Sequence, residues 1–196
     1  MHNTYFQFQQ FTVWHDHCAM KVCTDGVLLG SWCTVEPAQT VLDVGTGSGV
    51  IALMLAQRNA TANILGIDID ADSVEQAQQN FLQSPFSQRL QAKCQDFNHH
   101  ELPAASYDLI VSNPPFFTED TLAPRPQRAN ARSTCSLPFA MLLAHSAMLL
   151  NEQGRLAVVI PHSSAADFIL TASMHGLHLH RRCDVRTTQR KTSKRT

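Results

Sequence analysis

The sequence predicts an α/β fold in which helices cover both faces of a mostly parallel sheet. Short apolar runs alternate with helical segments along the 196 residues, a length that suits one domain. The runs are apolar almost throughout, which is typical of strands buried on both faces. The first run ends in a glycine-rich turn, and in such sheets ligands bind where the strands reach their carboxyl ends.

Two strand and helix pairs occupy the first half of the predicted sheet. They are a strand at 41–45, a buried helix at 48–57, a strand at 64–68 and an amphipathic helix at 70–83. Asp70 or Asp72 caps the second helix, because aspartate is a favoured residue at a helix N-terminus. The same helix should turn three apolar side chains inward: Val74, Ala77 and Phe81.

The second half continues this alternation. Its predicted elements are strands at 90–94, 107–112 and 155–160 and helices at 137–150 and 164–174. Pro114 and Pro115 stop the strand before them, since proline cannot continue a ladder, and Gly154 breaks the chain before the last of these strands. Residues 116–136 have few apolar side chains and no period, as in a lid or substrate loop, and residues 177–185 could form a sixth strand.

The composition excludes several classes of protein. With 44% hydrophobic and 16% charged residues, the chain is expected to be globular rather than disordered. No apolar run reaches the roughly 18 to 20 residues of a membrane span, and the N-terminus does not resemble a secretion signal. We therefore expect a cytoplasmic protein without a membrane partner. Six cysteines lack any Cys-x-x-Cys pair or matching histidine cluster, so no metal site is predicted.

The charge is distributed unevenly along the chain. The net charge is −1, but residues 181–196 hold seven of the fifteen Lys and Arg side chains and one acid, Asp184. A basic segment thus follows an acidic body. Such a segment is either solvated or in contact with phosphate.

A glycine-rich loop joins the first predicted strand to the first predicted helix. Gly45, Gly47 and Gly49 let the backbone turn tightly and approach a nucleotide-like ligand. This spacing fits dinucleotide enzymes, methyltransferases and purely structural turns. Asp68 ends the next strand about 20 residues later, where a carboxylate accepts hydrogen bonds from both ribose hydroxyls or caps the following helix.

The tetrapeptide at 113–116 places an amide, two prolines and an aromatic ring after the fourth predicted strand. An amino nitrogen that is conjugated with a ring, such as that of adenine, is a poor nucleophile, so a reaction at such a nitrogen requires its lone pair to be freed. The Asn113 side-chain oxygen and the Pro114 carbonyl can accept its two hydrogens. Pro115 helps to fix the direction of that carbonyl, and Phe116 can stack on the extruded base.

The order of these motifs resembles that of the class I S-adenosylmethionine-dependent methyltransferases, which have a Rossmann-like fold. Besides the glycine loop, Asp68 and the tetrapeptide, the resemblance includes Asp43 and Asp96-Phe97. It implies that S-adenosylmethionine is the cofactor, that the three glycines line its methionine and ribose parts, and that Asp68 holds its ribose. It also places Ile69 on the adenine face, Asp96 at the adenine amino group, and Asp43 near the methionine ammonium. Asp96 could instead only cap a turn.

The first 35 residues are rich in aromatic side chains, and residues 6–32 are very similar to the start of the bacterial tRNA(Val) adenine-37 N6-methyltransferase family. This resemblance extends over nearly the whole chain. It implies that the leader, residues 1–35, packs over the cofactor site of a methyltransferase domain at 36–196, and that tRNA is the substrate of a monomer. It assigns cofactor contacts to four leader residues: Met20, Lys21, Thr24 and Asp25.

Several points stay open at this level. Lys21 and Asp25 could belong to a surface ion pair or turn, and Arg128 and Arg132 either touch RNA phosphate or are solvated. The family pattern has a glycine in place of Cys23 and continues into another strand after Thr196, so the last strand can be missing. Related tetrapeptides occur in enzymes that methylate release-factor glutamine or ribosomal guanine N2, and a cofactor-binding module without activity is a further alternative.

Overall fold

The central feature of the computed structural model, which describes residues 3–115 and 137–196, is a five-stranded sheet. All four strand pairings in it are parallel, and the strand order is β5-β4-β3-β6-β7. The strands are β3 (Thr40–Val44), β4 (Asn63–Asp68), β5 (Leu90–Cys94), β6 (Tyr107–Ser112) and β7 (Leu150–Val158). The predicted parallel α/β architecture is confirmed.

Helices cover both faces of this sheet. They are α1 (Thr24–Trp32), α2 (Val50–Arg58), α3 (Ala71–Leu82), α4 (Phe139–Leu149) and α5 (Ala165–Met174). On one face, side chains of α1, α2 and α3 pack with Val41 of β3. On the other, α4 packs with Leu42 and Val44, because successive side chains of a strand point to opposite faces. Asp70 rather than Asp72 caps α3, and its carboxylate accepts from Ser73 N at 3.1 Å.

The N-terminal leader adds a hairpin and a helix outside the sheet. Strand β1 (Tyr5–Gln7) pairs antiparallel with β2 (Thr12–Trp14), and Val13 is fully buried. Helix α1 follows and packs on α2. Its sequence did not predict a helix, since it contains Gly26 and Gly30, and glycine is a poor helix former.

Two predictions for the C-terminal part are wrong. Strand β7 starts at Leu150, with Gly154 inside it, at an irregularity in the pairing with β6. A Cβ at Gly154 would lie 2.8 Å from the Tyr107 carbonyl oxygen, so glycine allows two backbones to approach rather than ending the strand. Residues 177–184 lie in no strand, since they form no ladder with β7, the edge strand of the described sheet. Among residues 177–185, Val185 alone forms a bridge, with Arg195.

The parallel arrangement brings five strand ends to one edge of the sheet. The residues after β3, β4, β5 and β6 are the glycine loop, Ile69, Gln95 and Asn113, so the predicted site residues that the structure describes outside the leader lie along this edge. Within residues 3–115 and 137–196, none of the helices has the length and apolar character needed to cross a membrane.

Candidate functional site

Two of the three glycines in the glycine loop leave the backbone accessible at the carboxyl edge of the sheet. Gly45, Gly47 and Gly49 have φ values of 71°, 52° and 79°, a region that favours glycine. A Cβ on Gly45 or Gly47 would meet no atom within 4 Å, so the backbone there is accessible to a ligand. A Cβ on Gly49 would lie 2.4 Å from Phe81 Cε1, so Gly49 serves the packing of α2 on α3.

Asp68 joins the end of β4 to the glycine loop. Its Oδ2 accepts from Gly47 N at 2.9 Å, and its Oδ1 accepts from Asp70 N at 3.0 Å. Burial raises the pKa of this carboxyl group. Each carboxylate oxygen can accept a second hydrogen bond, so the group can still bind a diol. Asp70 caps α3, and Asp68 is therefore not its capping residue. Ile69, next in the chain, is 46% exposed and offers an apolar surface.

Asp43 is a buried carboxyl group beneath the glycine loop. Its Oδ2 accepts from Thr46 Oγ1 at 2.8 Å and from Ala52 N at 3.3 Å, while its Oδ1 is buried without a hydrogen-bond partner in residues 3–115 and 137–196. Burial raises its pKa from 3.8 to about 7. An unpartnered buried carboxylate oxygen has a substantial energetic cost, which a cationic ligand group or a bridging water would offset.

Asp96 lies next to this region because β5 pairs with β4, and Gln95 N donates to Asp68 O at 2.8 Å. Its carboxylate caps a short 3-10 turn, Phe97–His99, and accepts from Asn98 N and His99 Nδ1, both at 2.8 Å. The bond from His99 lowers the pKa of Asp96. Capping is therefore one role of Asp96, and Phe97 is buried beneath it.

Asn113 follows β6 and has two differently placed amide atoms. Its Nδ2 donates to Cys23 Sγ at 3.6 Å, whereas its Oδ1 is buried and has no hydrogen-bond partner among the described residues. Because Ser112 pairs with Val44 in β3, Asn113 adjoins the start of the glycine loop. The amide thus presents a hydrogen-bond acceptor beside the open backbone of Gly45. Pro114 is buried and Pro115 half-buried, while Phe116, Arg128 and Arg132 lie outside the described residues.

The leader supplies the neighbours of Asn113. Cys23 has φ −126° and ψ 161° at the N-cap of α1, an extended conformation that does not require glycine. Thr24 is exposed, and Asp25 forms an ion pair with Arg195, whose Nε lies 2.8 Å from Asp25 Oδ2. Outside the helix, Met20 is 50% exposed, and Lys21 Nζ donates to Asn3 O at 3.3 Å.

Sequence reasoning missed Asn80, which connects the leader to the glycine loop. Its Oδ1 accepts from Trp14 N at 3.0 Å, and its Nδ2 donates to the carbonyl oxygens of Trp14 and Ser48, both at 2.8 Å. The available signal was an amide on the inward face of α3, between Ala77 and Phe81. Among the described residues, no group of three or more His, Cys, Asp or Glu side chains is arranged to hold a metal ion.

Comparison with known proteins identifies the family. The methyltransferase small domain family matches residues 24–183. A tRNA1(Val) (adenine(37)-N6)-methyltransferase of Phocaeicola vulgatus is 47% identical over 187 residues, which cover 95% of this chain and 79% of the relative. One of Serratia proteamaculans is 49% identical and covers 92% of this chain and 70% of the relative. The chain belongs to the tRNA1(Val) (adenine(37)-N6)-methyltransferase family.

Solved methyltransferase structures share the fold of this family member. A TehB-like S-adenosylmethionine-dependent methyltransferase from Corynebacterium glutamicum superposes with a TM-score of 0.52 at 19% identity, covering 80% of this chain and 74% of the other. Protein Atu636 of Agrobacterium tumefaciens, described as a predicted O-methyltransferase, gives 0.58 at 19% identity and covers 76% and 66%. The Rossmann-like class I architecture is thereby confirmed.

Proposed function

We propose that this methyltransferase transfers the methyl group of S-adenosylmethionine to N6 of adenine 37 of a valine tRNA. The observation that carries the proposal is the buried, unpartnered Oδ1 of Asn113 beside the open glycine loop. A planar amino group is a donor that would satisfy this acceptor. The choice of tRNA is supported by the names of relatives that are 47% and 49% identical.

The described residues fit S-adenosylmethionine, which supplies an electrophilic methyl group on a sulfonium. Asp68 would accept hydrogen bonds from the ribose hydroxyls, and the Oδ1 of Asp43 would accept from the methionine ammonium directly or through water. Ile69 would cover one face of the adenine, and Asp96 would accept from its amino group. The open backbone at Gly45 and Gly47 leaves room for the ligand, and the resemblance adds contacts from the leader: Met20, Lys21, Thr24 and Asp25.

The tetrapeptide residues act on the methyl acceptor. Asn113 Oδ1 and the Pro114 carbonyl accept the two amino hydrogens, which turns the nitrogen lone pair toward the methyl carbon. The bond from Asn113 Nδ2 to Cys23 favours the amide orientation in which the oxygen is presented. Pro115 restricts the backbone, and Phe116 stacks on the base. The bond between the nitrogen and the methyl carbon would form as the bond between sulfur and the methyl carbon breaks, with S-adenosylhomocysteine leaving with that electron pair. The acceptor nitrogen would gain positive charge and then release a proton to water, so a strong general base is not needed.

The location and oligomeric state of the enzyme belong to the same proposal. The enzyme acts as a monomer in the cytoplasm, where tRNA is modified. The leader, residues 1–35, packs over the cofactor site, a role supported by the hydrogen bonds that Asn80 makes to Trp14 and Ser48.

The test is methyl transfer to tRNA that lacks modifications. Incubation with methyl-labelled S-adenosylmethionine, followed by digestion to nucleosides and mass spectrometry, should yield N6-methyladenosine. Asn113→Ala should lose at least 100-fold in turnover and keep its affinity for S-adenosylhomocysteine, since one preorganised acceptor contributes on the order of 10²- to 10³-fold. Asp68→Ala should weaken that affinity itself.

Two variants serve as matched controls. Asn63→Ala removes an exposed amide at the opposite end of β4, and Asp167→Ala removes an exposed carboxylate in α5, so neither should change turnover or affinity. Label in guanine or in a release factor would overturn the proposed acceptor. Equal loss of cofactor affinity in Asn113→Ala and Asp68→Ala would contradict the separate roles of the two residues.

A further inference from the structure

The C-terminal residues 185–195 form a small hairpin, here called the basic hairpin. Val185 N donates to Arg195 O at 2.9 Å, and Lys194 N donates to Val185 O at 3.0 Å. Between these residues the chain turns, and Lys191 N donates to Thr188 O at 3.2 Å. Backbone hydrogen bonds close the base, so the exposed side chains at the tip are not needed to hold it together.

The base of the basic hairpin is fixed beside Asn113. Val159 N donates to Ser112 O at 3.3 Å, and the next residue, Ile160, exchanges two hydrogen bonds of 2.9 Å with Thr196. Arg195 Nε binds Asp25 Oδ2 at 2.8 Å in the first turn of α1, two residues after Cys23. The hairpin therefore starts at the carboxyl edge of the sheet, where the methyl acceptor must enter.

The charge of the hairpin contrasts with that of the remaining protein. Residues 185–196 contain five basic side chains and no acid, whereas residues 1–180 contain eight basic and fifteen acidic side chains. The nearest acid in the sequence, Asp184, is already bound to Arg182 at 2.8 Å and to His162 at 3.6 Å. Four of the basic side chains are exposed and belong to Arg186, Arg190, Lys191 and Lys194.

We propose that the basic hairpin docks the phosphate backbone of the tRNA whose adenine enters at Asn113. This inference rests on the proposed function. Arginine and lysine at the tip would pair with phosphates, and interspersed hydroxyl and amide groups such as Thr187 and Gln189 would donate to phosphate oxygens. Such contacts position the RNA without reading its sequence, which leaves recognition of the base to the acceptor site.

The test compares two double variants that remove the same charges. Arg190→Gln/Lys191→Gln neutralises the hairpin tip, and Lys93→Gln/Arg155→Gln neutralises one exposed lysine in β5 and one exposed arginine in β7. Affinity for tRNA is measured by fluorescence anisotropy between 50 and 200 mM salt. The tip variant should bind about tenfold more weakly, and its slope of log affinity against log salt should fall by about 1 to 2. The control should match the wild type.

The other readouts separate this inference from the proposed function. In the tip variant, affinity for S-adenosylhomocysteine and turnover at saturating tRNA should stay within about twofold of the wild type. Its unfolding midpoint should be unshifted. A tip variant that equals the control in affinity and salt slope would overturn the docking role, as would loss of cofactor affinity. Failure of the wild type to methylate any tRNA would instead overturn the proposed function, while the binding comparison would still test the hairpin.

Discussion

Asp43 is the residue at which burial and charge conflict most directly. Its pKa of about 7 in the folded protein lies above the value of 3.8 for an unperturbed carboxyl group, so folding favours the protonated form. The contribution of this protonation to the free energy of unfolding is fully present below about pH 4 and is lost as the pH rises through 7. Three pKa units correspond to at most about 4 kcal/mol.

The consequence for Asp43 can be measured by denaturation of the cofactor-free protein. Asp43→Asn, which cannot ionise, should lose less free energy of unfolding than the wild type between pH 4 and pH 8, by up to about 4 kcal/mol. Urea titrations at the two pH values give the difference. Asp167→Asn, an exposed carboxylate in α5, is the control and should follow the wild type. Identical pH dependence in Asp43→Asn and the wild type would contradict the raised pKa.

We propose that Cys23 positions Asn113, because its sulfur accepts a hydrogen bond from the Asn113 amide. Removing its sulfur in Cys23→Ala should free the Asn113 amide to rotate and lower kcat about 3- to 10-fold, the effect of one weak hydrogen bond. Cys23→Ser keeps an acceptor at the same position and should retain most of the activity, and serine also suits the N-cap of α1. Affinity for S-adenosylhomocysteine should be unchanged in both variants.

The control for Cys23 is Cys183→Ala, which removes an exposed thiol. Steady-state kinetics with tRNA, together with the unfolding midpoint, distinguish positioning from a general loss of stability. If Cys23→Ala and Cys23→Ser lose the same activity, or if the loss follows the unfolding midpoint, the hydrogen bond to Asn113 has no positioning role.

At the scale of elements, the contact between α1 and α2 depends on one glycine. A Cβ at Gly30 would lie 2.8 Å from Met54 Sδ and 3.1 Å from Met54 Cβ, whereas one at Gly26 would have its nearest contact at 3.6 Å, with Val50 Cγ1. Gly30→Ala should therefore destabilise the protein by about 1 to 3 kcal/mol, as overpacking does. Gly26→Ala should be neutral or stabilise by up to about 1 kcal/mol, since alanine is the better helix former.

Denaturant unfolding of both glycine variants checks this prediction. Adding Met54→Ala to Gly30→Ala tests the cause, because removal of the crowding atoms should make the combined loss smaller than the sum of the two single losses. A destabilisation of equal size in Gly26→Ala and Gly30→Ala would instead indicate a general intolerance of substitution in α1.

The elements themselves show where sequence patterns suffice. Strands β3 to β6 and helices α2 to α5 could be predicted within a few residues, since each carries its own period or apolar run. Gly154 and residues 177–185 could not be placed correctly, because strand membership there depends on which neighbour is available for pairing. Local composition contains no information about that neighbour.

At the scale of the whole molecule, the positions of the site residues can be predicted from the sequence, whereas their contacts cannot. The parallel topology puts every strand's carboxyl end at one edge, so the places of Asp68, Asp96 and Asn113 follow from the order of motifs. The hydrogen-bond partners of the site residues do not follow from that order. The hydrogen bonds that Asn113 donates to Cys23 and that Arg195 donates to Asp25 join residues 90 and 170 positions apart, and only the folded chain brings them together.

The contacts of Asn80 have a consequence for local unfolding of the N-terminal hairpin and the glycine loop. One side chain holds both Trp14 in the leader and Ser48 in the glycine loop, so its loss would remove a contact to the hairpin of β1 and β2 and a contact to the glycine loop at once. We therefore expect local unfolding of one segment to loosen the other through Asn80. A ligand that rigidifies the turn should slow amide hydrogen exchange in the N-terminal hairpin, although the two are far apart in sequence.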